Sequence, residues 1–263
     1  MAIMAGDVVE RIKKNLGTWR EGGYRDTYKA GGPDTEITGI ATTFMATFDA
    51  IQRAVAAGCN MIIPHEDTFW NDRDDVKDPS ADPLYDTKVA FCRKHSVAIF
   101  RMHDSMHGQR PDFTYVGLAR TLGFDSARET APNSHRYTLP ETTLGALATE
   151  LKQRTQAKAL RVVGNPEAKV SRVQLGVGYA TPAVNGEIDV VVSGELQETD
   201  GTFDSPAYVL DAVSLGIAKG WIMLGHAISE EPGMEDLAEW IRGFVKEVPV
   251  RFIRAGEPFW VPQ

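Results

Sequence analysis

Short runs of β-branched and other apolar residues alternate along this chain with segments of helical period, which restricts it to α/β architectures whose helices cover a largely parallel sheet. Glu36 to Phe44 reads as a strand, Thr47 to Ala57 as a helix closed by Gly58, and Met61 to Pro64 as the next strand. A helix over Pro83 to His95 and a strand over Val97 to Met102 follow, then a helix over Phe113 to Leu122 closed by Gly123. Glycine just past the last helical residue supplies a left-handed cap without steric cost. Arg136 to Leu139 reads as a strand and Glu141 to Arg154 as a helix. Further strands fall at Leu160 to Val163, Arg172 to Gly176, Ile188 to Ser193, Gly220 to Leu224 and Val250 to Ile253. Helices at Pro206 to Leu215 and Pro232 to Val245 lie among them, each with proline in its first turn. Asp125 to His135 is polar and aperiodic, so the chain is read as two similar α/β lobes, residues 1–125 and 126–263, with mostly parallel or mixed sheets.

Charge narrows the partners. Across 263 residues, 28 Lys and Arg stand against 36 Asp and Glu, a net charge of −8. Such a surface argues against a nucleic-acid footprint and against docking on anionic membranes. Cys59 and Cys92, the only two cysteines, both fall in helical segments, so neither a disulfide framework nor a Cys-rich zinc site is available. No apolar stretch approaches the length of a membrane span, and the first residues lack a basic region followed by an apolar core. The chain is read as a cytoplasmic protein.

In open α/β sheets ligands bind beyond the carboxyl ends of the strands. Three clusters stand there: His65-Glu66-Asp67, His103-Asp104 with His107, and His226 with Glu230-Glu231. Four of the six histidines of the chain fall in them, while His95 and His135 read as a helix-end and a linker residue. Imidazole with carboxylate suits zinc, iron and manganese. His103 with His107, and His226 with Glu230, are four residues apart, which brings their side chains together on one helical turn. Gly176-Val-Gly178 follows a strand but lacks the third glycine and the helix of a dinucleotide fingerprint. Ser193 lacks the Gly-x-Ser-x-Gly elbow of a serine hydrolase.

In order and separation these clusters resemble the Nif-three-like dinuclear metal family, whose members are often labelled GTP cyclohydrolase I type 2. The matching stretches are His65-Glu66-Asp67-Thr68-Phe69-Trp70, His103-Asp-Ser-Met-His107, Ser193-Gly194-Glu195 and Gly225-His226-Ala-Ile-Ser-Glu230. Glu66 stands where the family carries the second His of a pair, His107 where it carries Asp, and Glu195 where it carries the Asp after glycine. Thr199, beside Glu198, stands where many members carry a further His.

The resemblance implies a site at the strand ends between the lobes, holding two divalent ions (Zn, Fe or Mn) through His65, Glu66, His107, His226 and Glu230. It further implies hydrolysis of an unidentified small molecule, a nucleotide-like or heterocyclic compound, by a metal-bridging hydroxide. Glu195 and His103 are the expected catalytic groups, Glu195 as base or as orienter of a ligand histidine and His103 as donor. Arg101 and Arg110 are candidates for a phosphate or carboxylate on the substrate, and Phe69 and Trp70 for the wall of the site. Members form hexameric rings, so a homo-oligomer is expected. A non-catalytic metal-binding or scaffold protein is the alternative.

Overall fold

The computed structural model describes residues 2–69, 73, 83–124, 134–184, 186–196 and 204–262, the side chains of 204 and 205 excepted. Contacts group the chain into two units: residues 1–113 with 233–255, and residues 114–232 with 256–263. The expected cut after residue 125 lies outside the described residues, as does most of the linker.

Unit 1 is built on a five-stranded sheet. Its strands are β2 (Tyr28–Ala30), β4 (Ile40–Thr43), β5 (Met61–Pro64), β6 (Ala98–Phe100) and β12 (Val250–Phe252), in the order β12-β4-β5-β6-β2. All neighbours run parallel except β2 on β6. Parallel strands covered on both faces are apolar throughout rather than alternating, and every residue of β4 and β5 is buried. One face packs Ala41, Ile62 and Ile99 against Ile51 and Ala54 of α2 (Phe48–Ala56). Helix α2 starts as its sequence dictates, with the Thr47 hydroxyl accepting from Ala50 N at 3.1 Å, and Gly58 behind it adopts φ +79°. Helix α3 (Pro83–Lys94) precedes β6 and carries Cys92; both cysteines are buried and free. Burial raises the Cys59 thiol pKa and lifts that of Cys92 to about 11.

The expected strand 36–44 is divided into β3 (Glu36–Ile37) and β4. Gly39 causes the break: its carbonyl accepts from Asn60 N and Met61 N, and a Cβ there would lie 2.6 Å from Gly58 O. Strand β1 (Ile3–Met4) pairs with β3 in a small separate sheet. Helix α1 (Ala5–Asn15), which the sequence reading did not assign, buries Ala5, Val8, Val9 and Ile12. Arg11 on α1 grips Glu247 with two hydrogen bonds, 2.7 and 2.9 Å.

Unit 2 repeats the plan with a second five-stranded sheet. Its strands are β7 (Arg136–Thr143), β8 (Arg161–Gly164), β9 (Lys169–Leu175), β10 (Val190–Ser193) and β11 (Gly220–Met223), in the order β7-β9-β10-β11-β8. The three central strands are parallel and both edges antiparallel. Strand periodicity sorts the core: Val190 and Val192 join Ile222, Leu118 of α5 (Phe113–Leu122) and Leu144 of α6 (Leu144–Thr155). Val191, with Trp221, packs on the other face against Val209 of α7 (Asp204–Ser214). Helix α8 begins at His226 and runs to Arg242 with Pro232 inside it, so it opens six residues before the expected proline start, directly behind Gly225 at φ +101°. Among the described residues no helix is long and apolar enough to cross a membrane.

Asp189, at the entry to β10, ties two parallel strands together. Its carboxylate accepts from Ser171 N at 3.0 Å, Arg172 N at 2.9 Å and the Arg172 guanidinium at 2.7 Å. Burial pushes its pKa up, but these hydrogen bonds and the Arg172 charge outweigh burial and hold it below the usual carboxylate range. Because the folded value lies below the unfolded one, this stabilisation is complete above the ordinary carboxylate range and is lost as pH falls through the depressed value. Asp189→Asn is expected to cost about 2 kcal/mol in urea unfolding at pH 7, with the gap to wild type closing at acid pH.

Candidate metal centre

In unit 1 the parallel ladder continues past the strands and fixes where two histidines leave the sheet. His65 N bonds Thr43 O at 3.1 Å and Met102 N bonds Pro64 O at 2.9 Å, so His65 follows β5 and His103 follows β6 at adjacent strand ends. The short helix α4 (Asp104–Gly108) then places His107 one turn beyond His103. Its first turn is capped from a distance: Asp26 accepts from His103 N at 2.6 Å and from Ser105 N at 2.8 Å.

His65, His103 and His107 come together, with one ligating atom from each lying within 4.8 Å of the others. Their rings touch pairwise, His65 stacked on His103 at 4.5 Å and His107 edge-on to both at 4.9 Å. Each ring is oriented through Nδ1 by a group able to accept: Met102 O for His65 at 3.2 Å, Asp104 for His103 at 2.8 Å and Asp112 for His107 at 2.9 Å. Burial raises the Asp104 pKa, but the hydrogen bond and charge of His103 and the charge of Arg25 more than offset it, leaving Asp104 below the usual range. With Nδ1 facing a carbonyl or carboxylate, a neutral imidazole at each position presents its Nε2 lone pair to a cation. Ligand histidines are arranged this way, the second nitrogen being fixed by an acceptor behind the metal. The donor set therefore fits a divalent cation.

Glu66 keeps a carboxylate oxygen within 4.8 Å of a His65 ring nitrogen, as a candidate ligand would, and is also ion-paired with Arg101. Arg101 is fully buried, with Nη2 2.8 Å from Glu66 Oε2 and Nε donating to His65 O at 3.1 Å. The other Glu66 oxygen lies 3.5 Å from His103 Nε2. Arg110 donates to the carbonyls of His107 and Gln109. Phe69 packs edge-on against Tyr85, while Trp70, Glu198 and Thr199 lie outside the described residues. His95 packs at a tilt against Phe91, and His135 stacks on Tyr115.

Unit 2 holds the remaining expected donors. His226, at the start of α8, has Nδ1 2.8 Å from Glu195 Oε1 and Nε2 3.0 Å from Glu230 Oε2. Glu195, which follows β10, is thus the orienting carboxylate of His226. Glu230 is almost wholly buried. The ladder again runs on past the strands, Leu224 N to Ser193 O at 2.8 Å and Gly225 N to Gly194 O at 2.9 Å.

Three residues that fall in the quoted stretches but were given no role there shape this pair. Gly178 has φ +51°, and a Cβ there would collide with Glu230 Oε1 and lie 2.9 Å from His226 Nε2. Gly194 lies against the Gly178 backbone, and Ser229 Oγ accepts from Gly178 N at 3.0 Å. The Gly176-Val-Gly178 stretch carried the signal, since two glycines just after a strand mark a close approach of backbone to something else. Asp26 and Asp112 carried none.

The class defined by these features is a two-sheet α/β protein with histidines and carboxylates gathered at the carboxyl ends of parallel strands. The chain belongs to the Duf34/NIF3 (NGG1p interacting factor 3) family, whose profile matches residues 28–258. It is 20% identical over 234 residues to a GTP cyclohydrolase 1 type 2 homolog of Clostridium acetobutylicum, covering 84% of this chain and 82% of the relative. A second protein of that description, from Chlamydia trachomatis, is 21% identical over 88% of this chain and 89% of its own length. A Staphylococcus aureus hypothetical protein shares the fold with TM-score 0.75 at 16% identity, covering 100% of both chains. A Bacillus cereus protein related to NIF3 matches with TM-score 0.72 at 15% identity, again over the whole of both chains.

Gly178→Ala is expected to push the Glu230 carboxylate and the His226 ring out of their present contact while the sheet stays intact. Isothermal titration with Zn²⁺ should then show affinity at least about tenfold weaker, with an unchanged far-ultraviolet dichroism spectrum.

Proposed function

We propose that this chain is a divalent-metal-dependent hydrolase. One observation carries the reading: three contacting imidazoles, each with an acceptor at Nδ1, which leaves Nε2 as the ligating atom. Placing three such rings together serves no purpose in packing that apolar residues would not serve better, and a cation offsets the cost of the carboxylates beside them. His65, Glu66, His103 and His107 in unit 1, with His226 and Glu230 in unit 2, are the proposed donors for two ions. Bound there, a divalent cation supplies Lewis acidity and a water acidic enough to provide hydroxide near neutral pH.

The chain's own residues do the rest. Asp104, Asp112 and Met102 O hold the imidazoles in one tautomer. Glu195 holds His226 and, with 37% of its side chain exposed, can take a proton from the substrate side. His103 is reassigned by this reading from proton donor to ligand. The name of the two relatives makes a purine nucleotide the first substrate class to screen, followed by phosphoesters and cyclic amides. Purified protein dialysed without chelator is expected to retain zinc, iron or manganese by elemental analysis. Asp112→Ala should weaken Zn²⁺ binding about 10- to 100-fold, and His107→Ala should abolish both binding and turnover. A fully loaded protein with no turnover in any class would favour the scaffold role.

Self-association is part of the same proposal. Leu210, Val213, Leu215 and Ile217, on and just after α7, are exposed by 57, 37, 74 and 51%, an apolar surface of the kind that oligomers cover. Light scattering is expected to give a multiple of 28.9 kDa, and a monomer mass would count against it.

A further inference from the structure

An aromatic ring left in water forgoes the stabilisation that burial would bring, so one held in the open beside a functional pair calls for a reason. Tyr179 directly follows Gly178, the residue at which a Cβ would lie 2.9 Å from His226 Nε2, so its backbone starts beside a candidate ligating atom. Its ring meets the His226 ring edge to face at a centroid distance of 4.9 Å, yet the residue stays 69% exposed. The loop that presents it is pinned at four points. Gly176 N bonds Val192 O at 2.9 Å, Ala180 N bonds Val177 O at 2.8 Å, Glu195 N bonds Gly178 O at 2.9 Å and Gly178 N bonds Ser229 Oγ at 3.0 Å. A backbone held this way fixes where the ring can reach, and the contact with His226 occupies only part of its surface.

We propose that Tyr179 is a substrate-binding residue, its open ring surface stacking on a planar heteroaromatic ring of the substrate beside His226. This rests on the metal-dependent hydrolase reading above and names the part of the substrate that the site selects. Tyrosine suits the task because it offers a large flat area while only two side-chain angles need to be fixed, and the contact with His226 orients the ring before substrate arrives. Stacking accepts any unsaturated ring, since each has a π face, and tolerates changes in its hydrogen-bonding pattern. The site is therefore selective for ring-bearing compounds over bare sugar phosphates and aliphatic esters or amides.

Isothermal titration of zinc-loaded protein with GMP, AMP and UMP, set against ribose 5-phosphate, tests this in wild type, Tyr179→Phe and Tyr179→Ala. The three nucleotides share the sugar and phosphate of the fourth probe and add a ring. Wild type is expected to bind at least one nucleotide about tenfold or more tighter than ribose 5-phosphate. Tyr179→Ala should erase most of that preference, whereas Tyr179→Phe should keep it within about threefold, with Zn²⁺ and ribose 5-phosphate affinities of both variants also within about threefold of wild type. A residue that merely packs on His226 would move Zn²⁺ affinity and leave the ring preference alone, and that result overturns the proposal. So does a wild type without the preference, or a Tyr179→Ala protein that retains it. A loss in Tyr179→Phe as large as in Tyr179→Ala assigns the contact to the hydroxyl and overturns stacking. A wild type that takes up no Zn²⁺ overturns the metal-dependent reading instead, and the same nucleotide comparison on metal-free protein then decides the role of Tyr179.

Discussion

Parallel strand pairing is the constraint on which the donor sets depend. In each sheet the hydrogen-bond ladder extends one or two residues beyond the strands themselves, as with His65 N to Thr43 O and Met102 N to Pro64 O in unit 1. Leu224 N to Ser193 O and Gly225 N to Gly194 O do the same in unit 2. Adjacent parallel strands end side by side and pointing the same way, so whatever follows them is delivered to one edge. The chain spends that placement on imidazole and carboxylate, and the backbone is fixed before any side chain needs to be.

Holding the backbone does not orient a ring, and here a second layer of acceptors does so. Asp112 is five residues from His107 and Asp104 is next to His103, while Met102 O comes from the neighbouring strand end. Asp26 lies far back in the sequence and acts on the backbone that carries the rings. In unit 2 Glu195 faces His226 Nδ1 in the same way, and the glycines at 178 and 194 add close backbone approach around the pair. Both arrangements serve one requirement, which is to leave a donor atom little freedom to lose on binding.

Much of the fold was legible because local signals agreed. Helix α2 had its Thr47 cap, its apolar spacing and Gly58, and α5 was bounded by the same residues that the sequence suggested. The long strand over 36–44 was misjudged because Gly39 serves as a close-approach point against Gly58, which depends on a tertiary neighbour. Helix α1 was passed over although Ala5, Val8, Val9 and Ile12 are spaced for burial, because Gly6 and adjacent β-branched valines weaken the helical signal. Helix α8 was started too late because Pro232 looked like a first-turn proline. At the site, that His65, His103 and His107 come together could be read from where they cluster relative to strand ends. That Arg101 turns inward to Glu66 could not, since nothing in Phe100-Arg101-Met102 tells a buried guanidinium from an exposed one.

Unit 1 is not contiguous: its sheet closes with β12, which pairs in parallel with β4 from residues two hundred positions earlier. All five strands of unit 2 lie between Arg136 and Met223. On a ribosome, where the chain emerges from its N-terminus, the sheet of unit 2 can be complete while that of unit 1 still lacks its last edge. The exposed flank of β4 must wait unpaired through most of translation, so the first-made part of the protein is the last to finish.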